Sequence, residues 1–197
     1  VSYMKTAILA LQGAFSEHEQ MFRKLGVETT LIRSLDDFNS NVNKSPSSGE
    51  GWRGAVIPGG ESTAMMRNMK DLGLFAPLRQ AILGGMPVFG TCAGLIMLDK
   101  AHLDVMDIKA KRNAYGRQLG SFNAKADFKG IGEVPMTFIR APYIEEAGPE
   151  VEILANVDGK AVAARQKNML VTAFHPELTD DSRVHQMFID MVAKGRQ

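Results

Sequence analysis

The chain has 197 residues, a length that suits one domain with a full hydrophobic core, and residues 1–197 are expected to form that single domain. Its 23 basic and 22 acidic side chains nearly balance, which argues against a surface for nucleic acid or another polyanion. The single cysteine excludes an internal disulfide and favours a reducing, cytoplasmic setting, and no apolar run is long enough to cross a bilayer.

The first third of the chain has the pattern of a strand–helix–strand unit. Residues 6–11 are a continuous apolar run, which is typical of a strand covered on both faces. Ser16 and Glu19 have the spacing of a capping box, so a helix is predicted to start at Ser16 and to stop at Gly26. Residues 27–32 predict the second strand of the unit.

A polar segment separates this unit from the next strand. Residues 39–51 are rich in turn formers and predict a loop. A third strand is predicted at Ala55–Ile57, and it ends in a glycine-rich turn. Ser62 or Thr63 is expected to cap the helix that follows this turn.

The second half of the chain is richer in strands. Short β-like segments alternate with turns, and strands are predicted at 117–128, 136–139, 151–157, 160–166 and 169–174. Asp158 and Gly159 are a strong signal for a two-residue hairpin turn, and residues 184–192 form an amphipathic helix. These patterns predict an α/β fold: a three-layer, doubly wound, mostly parallel sheet with helices on both faces and an antiparallel extension.

Residues 86–94 have the pattern of a nucleophile elbow. A short apolar strand is followed by Gly90-Thr91-Cys92-Ala93-Gly94 and then by the start of a helix. The two glycines allow the strand and the helix to approach closely, and a cysteine at a helix N-terminus is favoured as the thiolate. The alternative is that Cys92 is a small buried hydrophobic residue. Its flanking glycines and its strand–helix setting favour the nucleophile.

A thiol nucleophile needs a base and a group that orients the base. His175 follows a predicted strand, at the edge where open α/β sheets place their active sites. In an extended segment residues two apart point to the same side, so Glu177 is predicted to reach the imidazole of His175. The alternative is a surface histidine beside a solvated glutamate. The other histidines are expected to be surface or packing residues: His18, His102 and His185.

Two further features suggest binding. The glycine-rich turn at 58–63 can present backbone N–H groups to an anion or oxyanion. The alternatives are a phosphate cradle, although no standard phosphate-loop pattern occurs, and a plain tight turn. Arg112 and Arg140 are each either an anchor for a carboxylate or a partner in a structural ion pair.

Six segments, in this order and spread over nearly the whole chain, resemble the glutaminase subunits of pyridoxal 5'-phosphate synthase, which are class I (triad) glutamine amidotransferases. The elbow and the His-Pro-Glu sequence fit the whole class, and the two arginine-containing segments select this subfamily. The segments are Leu11-Gln12-Gly13-Ala14, Pro58-Gly59-Gly60-Glu61-Ser62-Thr63, Gly90-Thr91-Cys92-Ala93-Gly94, Arg112-Asn113-Ala114-Tyr115-Gly116-Arg117-Gln118, Phe138-Ile139-Arg140-Ala141-Pro142 and His175-Pro176-Glu177-Leu178.

The resemblance implies hydrolysis of L-glutamine to L-glutamate and ammonia through a thioester on Cys92. His175 would transfer protons, Glu177 would orient His175, and the backbone amides of Gly60 and Ala93 would form the oxyanion hole. The side of the site that faces a partner would include Gln12. The residues implied in glutamine binding are Gly60, Glu61, Ser62, Arg112, Ile139 and Arg140.

The resemblance also implies a partner. A (β/α)₈-barrel synthase subunit would take the ammonia and build pyridoxal 5'-phosphate within a large hetero-oligomer, and glutaminase activity is expected to be low until that partner docks. No metal, cofactor, nucleic acid or membrane is expected. Relative to the family pattern, the loop at 39–51 is longer and the connection between residues 98 and 112 is shorter.

Two other interpretations of the sequence remain. A cysteine peptidase or another small-molecule hydrolase can use the same elbow, and glutamine-dependent release of ammonia would separate it from the amidotransferase. A regulatory or binding module that has kept the fold is the interpretation without an enzyme. The presence of Cys92, His175 and Glu177 argues against that last interpretation.

Overall fold

The structure, a computed structural model, describes residues 5–42, 51–112 and 120–195. The helices in these ranges are α1 (Phe15–Lys24), α2 (Leu35–Val42), α3 (Ser62–Asp71), α4 (Phe75–Leu83), α5 (Ala93–Leu98), α6 (Arg183–Lys194) and a short 3₁₀ helix (Pro176–Leu178). The strands are β1 (Lys5–Leu9), β2 (Glu28–Ile32), β3 (Ala55–Ile57), β4 (Val88–Thr91), β5 (Ile108–Lys111), β6 (Ser121–Phe128), β7 (Gly132–Ile139), β8 (Tyr143–Ala147), β9 (Glu152–Val157), β10 (Lys160–Gln166) and β11 (Met169–Thr172).

Nine of the described strands form one sheet, and the other two form a hairpin. The order in the large sheet is β2-β1-β3-β4-β11-β10-β8-β5, with β9 also paired to β10. The first five strands of this order are parallel to one another, and the remaining strands pair antiparallel. The hairpin consists of β6 and β7. The predicted mostly parallel sheet with an antiparallel extension is confirmed.

Helices cover both faces of the parallel strands, as the alternation of side chains along β4 shows. Phe89 and Thr91 point to one face, where both contact His18 of α1, and Phe89 also packs against α6. Gly90 points to the opposite face, where an added Cβ would come within 2.6 Å of the backbone of Gly94 in α5. The predicted three-layer arrangement is therefore confirmed.

The first helix starts earlier than the sequence predicts. It begins at Phe15, so Ser16 lies inside the first turn, where it bonds to Glu17, and the predicted capping box with Glu19 does not form. The reason lies in the preceding turn, in which Gly13 adopts a φ of +90°. The chain direction is therefore set before Ser16 is reached.

The cap of α3 also differs from the prediction. Glu61 is the N-cap, and its carboxylate accepts the backbone N–H groups of Thr63 (2.9 Å) and Ala64 (2.7 Å). The expectation that Ser62 or Thr63 caps this helix was wrong. The carboxylate also brings a negative charge to the positive end of the helix dipole, which stabilises the start of α3.

The loop predicted over 39–51 is partly helical. α2 extends to residue 42, so the prediction was wrong for residues 39–42, and residues 43–50 lie outside the described residues. The hydroxyl of Ser34 accepts the N–H of Asp37 and caps this helix. Ser34, with two aspartates in the first turn, is the local signal that the sequence reading missed.

The strand predictions of the second half were mostly confirmed, with two omissions. β5 and β8 were not predicted, and they pair antiparallel with each other. Their patterns are weak because each has charged, exposed positions, and Lys109 of β5 forms ion pairs with Glu145 and Glu146 of β8. The strand predicted from residue 117 starts at Ser121 within the described residues, and the strand predicted to end at residue 174 ends at Thr172.

Two local predictions near the C-terminus were confirmed. Asp158 and Gly159 both adopt positive φ angles, 52° and 74°, and they join β9 to β10 as a two-residue hairpin turn. The amphipathic segment at 184–192 lies within α6. No helix in the described ranges combines the length and the apolar character needed to cross a membrane.

The core places the β6–β7 hairpin beside the elbow. Buried apolar residues from both halves of the chain form a contiguous cluster. The hairpin joins this cluster through Phe128 and Phe138, whose rings contact Phe174 just before His175. The end of β7 at Ile139 therefore reaches the region of the elbow. The single domain over residues 1–197 stays a prediction.

An alanine at Gly94 is expected to destabilise the protein. Its Cβ would overlap the carbonyl oxygen of Ile57, and because backbone atoms have little freedom to move, the cost should lie near the upper end of about 1–3 kcal/mol. That exceeds the roughly 1 kcal/mol that alanine gains over glycine in a helix. Chemical denaturation of Gly94→Ala should therefore show a lower free energy of unfolding.

The control for this experiment is Gly120→Ala. An added Cβ at Gly120 meets no non-neighbouring atom of the described residues within 4 Å, so the free energy of unfolding of this variant should stay within about 0.5 kcal/mol of the parent. If Gly94→Ala were as stable as Gly120→Ala, the close contact between the elbow and β3 would be contradicted.

Candidate active site

The elbow and His175 lie together because β4 and β11 are parallel neighbours. Thr91 pairs with Thr172, so the chain leaves both strands at the same edge of the sheet. The N–H of Cys92 donates to the carbonyl of Thr172 at 2.8 Å. A few residues after β11, the N–H of His175 donates to the carbonyl of Thr137 in β7, also at 2.8 Å. Three strands thus fix the backbone around the two residues.

Cys92 has the strained backbone of a nucleophile elbow. Its φ of 52° and ψ of −104° lie in a region that costs a non-glycine residue on the order of 1–3 kcal/mol. Its carbonyl accepts the N–H of Leu95 in the first turn of α5, which helps to hold this conformation. The residue is 6% exposed, and its Sγ lies 3.8 Å from the carbonyl oxygen of Ile139. The predicted strand, turn and helix are all present.

Glu177 contacts the imidazole of His175 by a route that differs from the predicted one. His175 Nδ1 lies 2.5 Å from Glu177 Oε1, and both residues are buried. The sequence argument assumed an extended segment, whereas the segment is a 3₁₀ helix with His175 as its cap. The tight turn folds the glutamate back towards the ring. Nε2 is the ring nitrogen that does not contact Glu177, and His175 and Cys92 line the same cavity.

The imidazole of His175 is strongly basic. Burial disfavours its charged form and acts to lower the pKa. Hydrogen bonds and electrostatic attraction to Cys92 and Glu177 act in the opposite direction, and they raise the pKa from 6.5 to about 10. At neutral pH the ring therefore carries a hydrogen on Nδ1, which donates to Glu177, and a second hydrogen on Nε2.

A cavity of about 640 Å³ opens over Cys92 and His175. Its walls are formed by residues of the glycine-rich turn, the elbow, the end of β7 and the turn before α1. Glu177 lies behind His175 and is not part of the lining. The predicted site residues that line the cavity are Gln12, Gly60, Glu61, Ser62, Cys92, Ala93, Arg112, Ile139, Arg140 and His175.

The backbone amides of Gly60 and Ala93 lie at the cavity and have no acceptor among the residues that the structure describes. Ala93 is the first residue of α5, where the N–H groups have no partner within the helix. Gln12 lies against Gly60, and its Oε1 accepts the N–H of Glu61 at 2.7 Å. Gln12 thus fixes the turn that carries the Gly60 amide.

Glu61 and Arg112 place opposite charges at the cavity mouth. Arg112 Nη2 lies 3.3 Å from Glu61 Oε1, and Arg112 Nη1 lies 3.4 Å from the hydroxyl of Thr63. The backbone hydrogen bonds from Thr63 and Ala64 lower the pKa of Glu61, so the carboxylate is ionised. The connection before Arg112 still brings this side chain to the cavity, and residues 113–119 lie outside the described residues.

The end of β7 supplies the remaining predicted residues. Ile139 is 39% exposed at the cavity, and Arg140 follows it with a positive φ of 45°, which turns the chain out of the strand. The N–H of Arg140 donates to the carbonyl of Gly120. Leu178, which lies in a segment of the family resemblance but had been given no role, also lines the cavity and is 40% exposed.

The other histidines differ in their settings. His18 and His185 are fully buried and lie 2.8 Å apart, Nδ1 to Nε2. His18 Nε2 lies 3.5 Å from Oε2 of Glu177, a contact that the sequence reading missed. His102 is partly buried and pairs with Asp99 at 2.7 Å. No local sequence pattern predicts the contacts of His18 with Glu177 and His185, because both partners are far away in the sequence.

Comparison with known proteins gives sequence matches along almost the whole chain. The profile described as the SNO glutamine amidotransferase family matches residues 8–194. The chain is 54% identical over 201 residues to pyridoxal 5'-phosphate synthase subunit PdxT of Streptococcus pneumoniae (strain CGSP14), and the alignment covers 98% of this chain and 100% of that protein. The PdxT of strain ATCC 700669 / Spain 23F-1 is also 54% identical, over 195 residues that cover 95% of this chain and 97% of that protein.

Solved structures share the fold. A crystal structure of a glutamine amidotransferase superposes with a TM-score of 0.85 at 34% identity, covering 95% of this chain and 98% of that one. The PurLQS structure from Thermotoga maritima superposes with a TM-score of 0.69 at 11% identity, covering 95% and 98% of the two chains, and shows the common fold alone. The fold and the matching relatives together show that the chain is a glutamine amidotransferase. Within that class, the chain belongs to the SNO glutamine amidotransferase family.

The His175 imidazole is expected to titrate with a midpoint near pH 10, and Cys92→Ala should lower that midpoint because the ring loses a hydrogen-bond partner and its attraction. Titration of ¹⁵N-labelled histidine rings by NMR measures both values. The matched control variant is Glu150→Ala, an exposed position outside the cavity, which should leave the His175 midpoint unchanged. A His175 midpoint that stays the same in Cys92→Ala would contradict the contact between these two side chains.

Proposed function

We propose that this chain is the glutaminase subunit of a pyridoxal 5'-phosphate synthase. It hydrolyses the side-chain amide of L-glutamine to give L-glutamate and ammonia, and it supplies the ammonia to the synthase subunit. The observation that carries this proposal is the juxtaposition of Cys92, His175 and Glu177 at a cavity, in a chain 54% identical to PdxT over nearly its whole length. The family match supports this reading over a cysteine peptidase or another hydrolase.

In the first half of the reaction, the sulfur of Cys92 attacks the side-chain amide carbon of glutamine. The carbonyl oxygen becomes an oxyanion, which the N–H groups of Gly60 and Ala93 stabilise. His175 gives its Nε2 proton to the leaving nitrogen, so that ammonia departs and a thioester remains on Cys92. The high pKa of His175 supports this role because the ring is already protonated when the substrate arrives.

In the second half, the now neutral His175 takes a proton from water, and the resulting hydroxide attacks the thioester carbon. Collapse of the tetrahedral intermediate breaks the C–S bond and releases glutamate. Sulfur and imidazolium then return to their starting state. Throughout the cycle Glu177 holds the Nδ1–H of His175, which fixes the tautomer that exposes Nε2 to the reaction.

The charges at the cavity mouth suit the amino-acid end of glutamine. We assign the Glu61 carboxylate to the α-ammonium group and Arg112 to the α-carboxylate, with Ser62 and the segment at Ile139 and Arg140 completing the site. The pair between Glu61 and Arg112 is about half exposed, so opening it for a zwitterion costs little. Gln12 supports this site by fixing the turn at Gly60.

The partner in this proposal is a synthase subunit with a (β/α)₈-barrel fold in a large hetero-oligomer. Ile139 and Leu178 support docking near the cavity because both are large apolar side chains, 39% and 40% exposed, on its lining. A partner that covers them would close the cavity and direct ammonia away from bulk water. Gln12 would lie on the partner-facing side, and a cytoplasmic location stays a prediction.

Replacing the nucleophile should abolish glutaminase activity. Cys92→Ala leaves no group that can form the thioester, so the rate of glutamate release should fall by at least about 10⁴-fold, as for nucleophiles of related triads. Glutamate release with the synthase subunit present measures the effect. Intact mass after treatment with a diazoketone analogue of glutamine should show one adduct on the parent chain and none on Cys92→Ala.

The matched control is Glu150→Ala, an exposed position that does not line the cavity, which should keep full activity and the adduct. Glutamate release by Cys92→Ala at the rate of the control would remove the thioester mechanism. An adduct on a residue other than Cys92 would count against the assignment of the nucleophile.

A second assay tests the delivery of ammonia. The chain and the synthase subunit together should form pyridoxal 5'-phosphate from glutamine, whereas Cys92→Ala with the synthase should do so only when an ammonium salt is supplied. Glutamate release by the parent chain should also rise when the synthase partner is added. Equal glutamate release with and without the synthase would contradict gating by the partner. Product formation from glutamine with Cys92→Ala would contradict the proposed source of ammonia.

A further inference from the structure

Two buried histidines lie directly behind the carboxylate of Glu177. His18 of α1 and His185 of α6 are both fully buried, and His18 Nδ1 is 2.8 Å from His185 Nε2. On its other side, His18 Nε2 lies 3.0 Å from Oγ1 of Thr91 and 3.5 Å from Oε2 of Glu177. In the proposed reaction Glu177 orients His175, and neither His18 nor His185 has a role.

The second oxygen of Glu177 requires an explanation. Oε1 binds His175 Nδ1, whereas Oε2 is buried and has no hydrogen-bond partner at ordinary distance among the described residues. A buried carboxylate oxygen without a donor is costly. The ring nitrogen that approaches it is Nε2 of His18, at a distance that a small shift would turn into a hydrogen bond.

Both histidines are electrically neutral. Burial lowers the pKa of His185 to about 3. Burial, with the repulsion of His185 and His175, lowers the pKa of His18 well below 6.5. Two neutral rings that meet at 2.8 Å share one hydrogen, so one ring donates and the other accepts.

The position of that shared hydrogen determines whether His18 Nε2 presents a hydrogen or a lone pair to Oε2 of Glu177. If it belongs to His18 Nδ1, then the lone pair of His18 Nε2 can accept the hydroxyl hydrogen of Thr91 but also faces a carboxylate oxygen of Glu177. His185 Nδ1 then carries a buried hydrogen without an acceptor among the described residues. If it belongs to His185 Nε2, then His18 Nε2 carries a hydrogen towards Glu177 and Thr91, and His185 Nδ1 is left with a lone pair. The second arrangement avoids the lone-pair contact and leaves no buried N–H without an acceptor.

We propose that His18 is a positioning residue of the active site, whose Nε2–H, fixed in this tautomer by His185, holds the Glu177 carboxylate that orients His175. This inference rests on the proposed triad. A neutral donor suits the position because it orients the carboxylate without cancelling its charge. Glu177 therefore keeps its full attraction for the imidazolium of His175, which an arginine or lysine at residue 18 would reduce.

The tautomer is measurable in the unaltered protein. Long-range ¹H–¹⁵N NMR of the full chain with ¹⁵N-labelled histidine should show hydrogens on Nε2 of both His18 and His185 and none on their Nδ1 atoms. A hydrogen on Nδ1 of His18 would overturn the proposal. This measurement needs no variant and no activity, so its outcome is independent of whether the chain hydrolyses glutamine.

Two substitutions test the effect on the reaction. His18→Leu removes the donor, and His18→Gln keeps an amide N–H near the position of Nε2. With the synthase partner present, His18→Leu should lower kcat by about 10- to 100-fold with little change in KM, as other supporting residues of active sites do. The NMR midpoint of His175 should fall as well, because a carboxylate that is no longer held in place makes a weaker hydrogen bond to the ring. His18→Gln should recover kcat to within about threefold.

The matched control is Phe22→Leu, which disturbs the same part of the core. The ring of Phe22 packs against His185 with centroids 5.1 Å apart, and it has no hydrogen to donate to Glu177. This variant should lose stability and keep kcat and the His175 midpoint. Equal losses in His18→Leu and His18→Gln, or unchanged values in His18→Leu, would overturn the positioning role. If His18→Leu does not fold, the tautomer measurement decides.

Discussion

The parallel pairing of β4 with β11 is the constraint on which the site depends. The pairing of Thr91 with Thr172 aligns the ends of the two strands, and the N–H of Cys92 continues the ladder one residue beyond β4. A slip of one residue would exchange the faces of β4. The ring of Phe89 would then meet α5, where only a glycine fits, and the sulfur would no longer lie beside the imidazole.

The charged side chains of the site differ in how deeply they are buried. The candidate site places the charged pair of His175 and Glu177 in a buried position, and this burial strengthens the interaction between them. The pair of Glu61 and Arg112 at the mouth is exposed and therefore weak. In the proposed reaction, the buried charges keep their geometry throughout, whereas the exposed pair separates to bind the substrate.

The sequence predicted those parts of the molecule whose signals are local. The glycines around Cys92 and the short spacing from His175 to Glu177 identify residues that the structure brings together, although the turn that joins the last two is helical and not extended. Weakly patterned elements were missed, among them α2, β5 and β8. The starts of two helices were predicted wrongly. The turn before α1 makes that helix begin before Ser16, and the side chain of Glu61, not that of Ser62 or Thr63, caps α3.

The contact between His18 and His185 could not have been predicted in the same way. These residues are 167 positions apart, and each looks like an ordinary helical residue in its own segment. Their meeting depends on the packing of α1 and α6 over Phe89, which is a property of the assembled layers. A residue can therefore support an active site without belonging to any motif that a sequence displays.

The same two rings set a limit on acid tolerance. Both have pKa values lowered by burial, so below about pH 6.5 the unfolded chain takes up protons that the native state refuses. For His185, stability falls as the pH drops from there towards 3, by about 1 kcal/mol per pH unit, and His18 acts in the same direction. A neutral hydrogen-bonded pair in the interior thus makes the fold less stable in acid than at neutral pH.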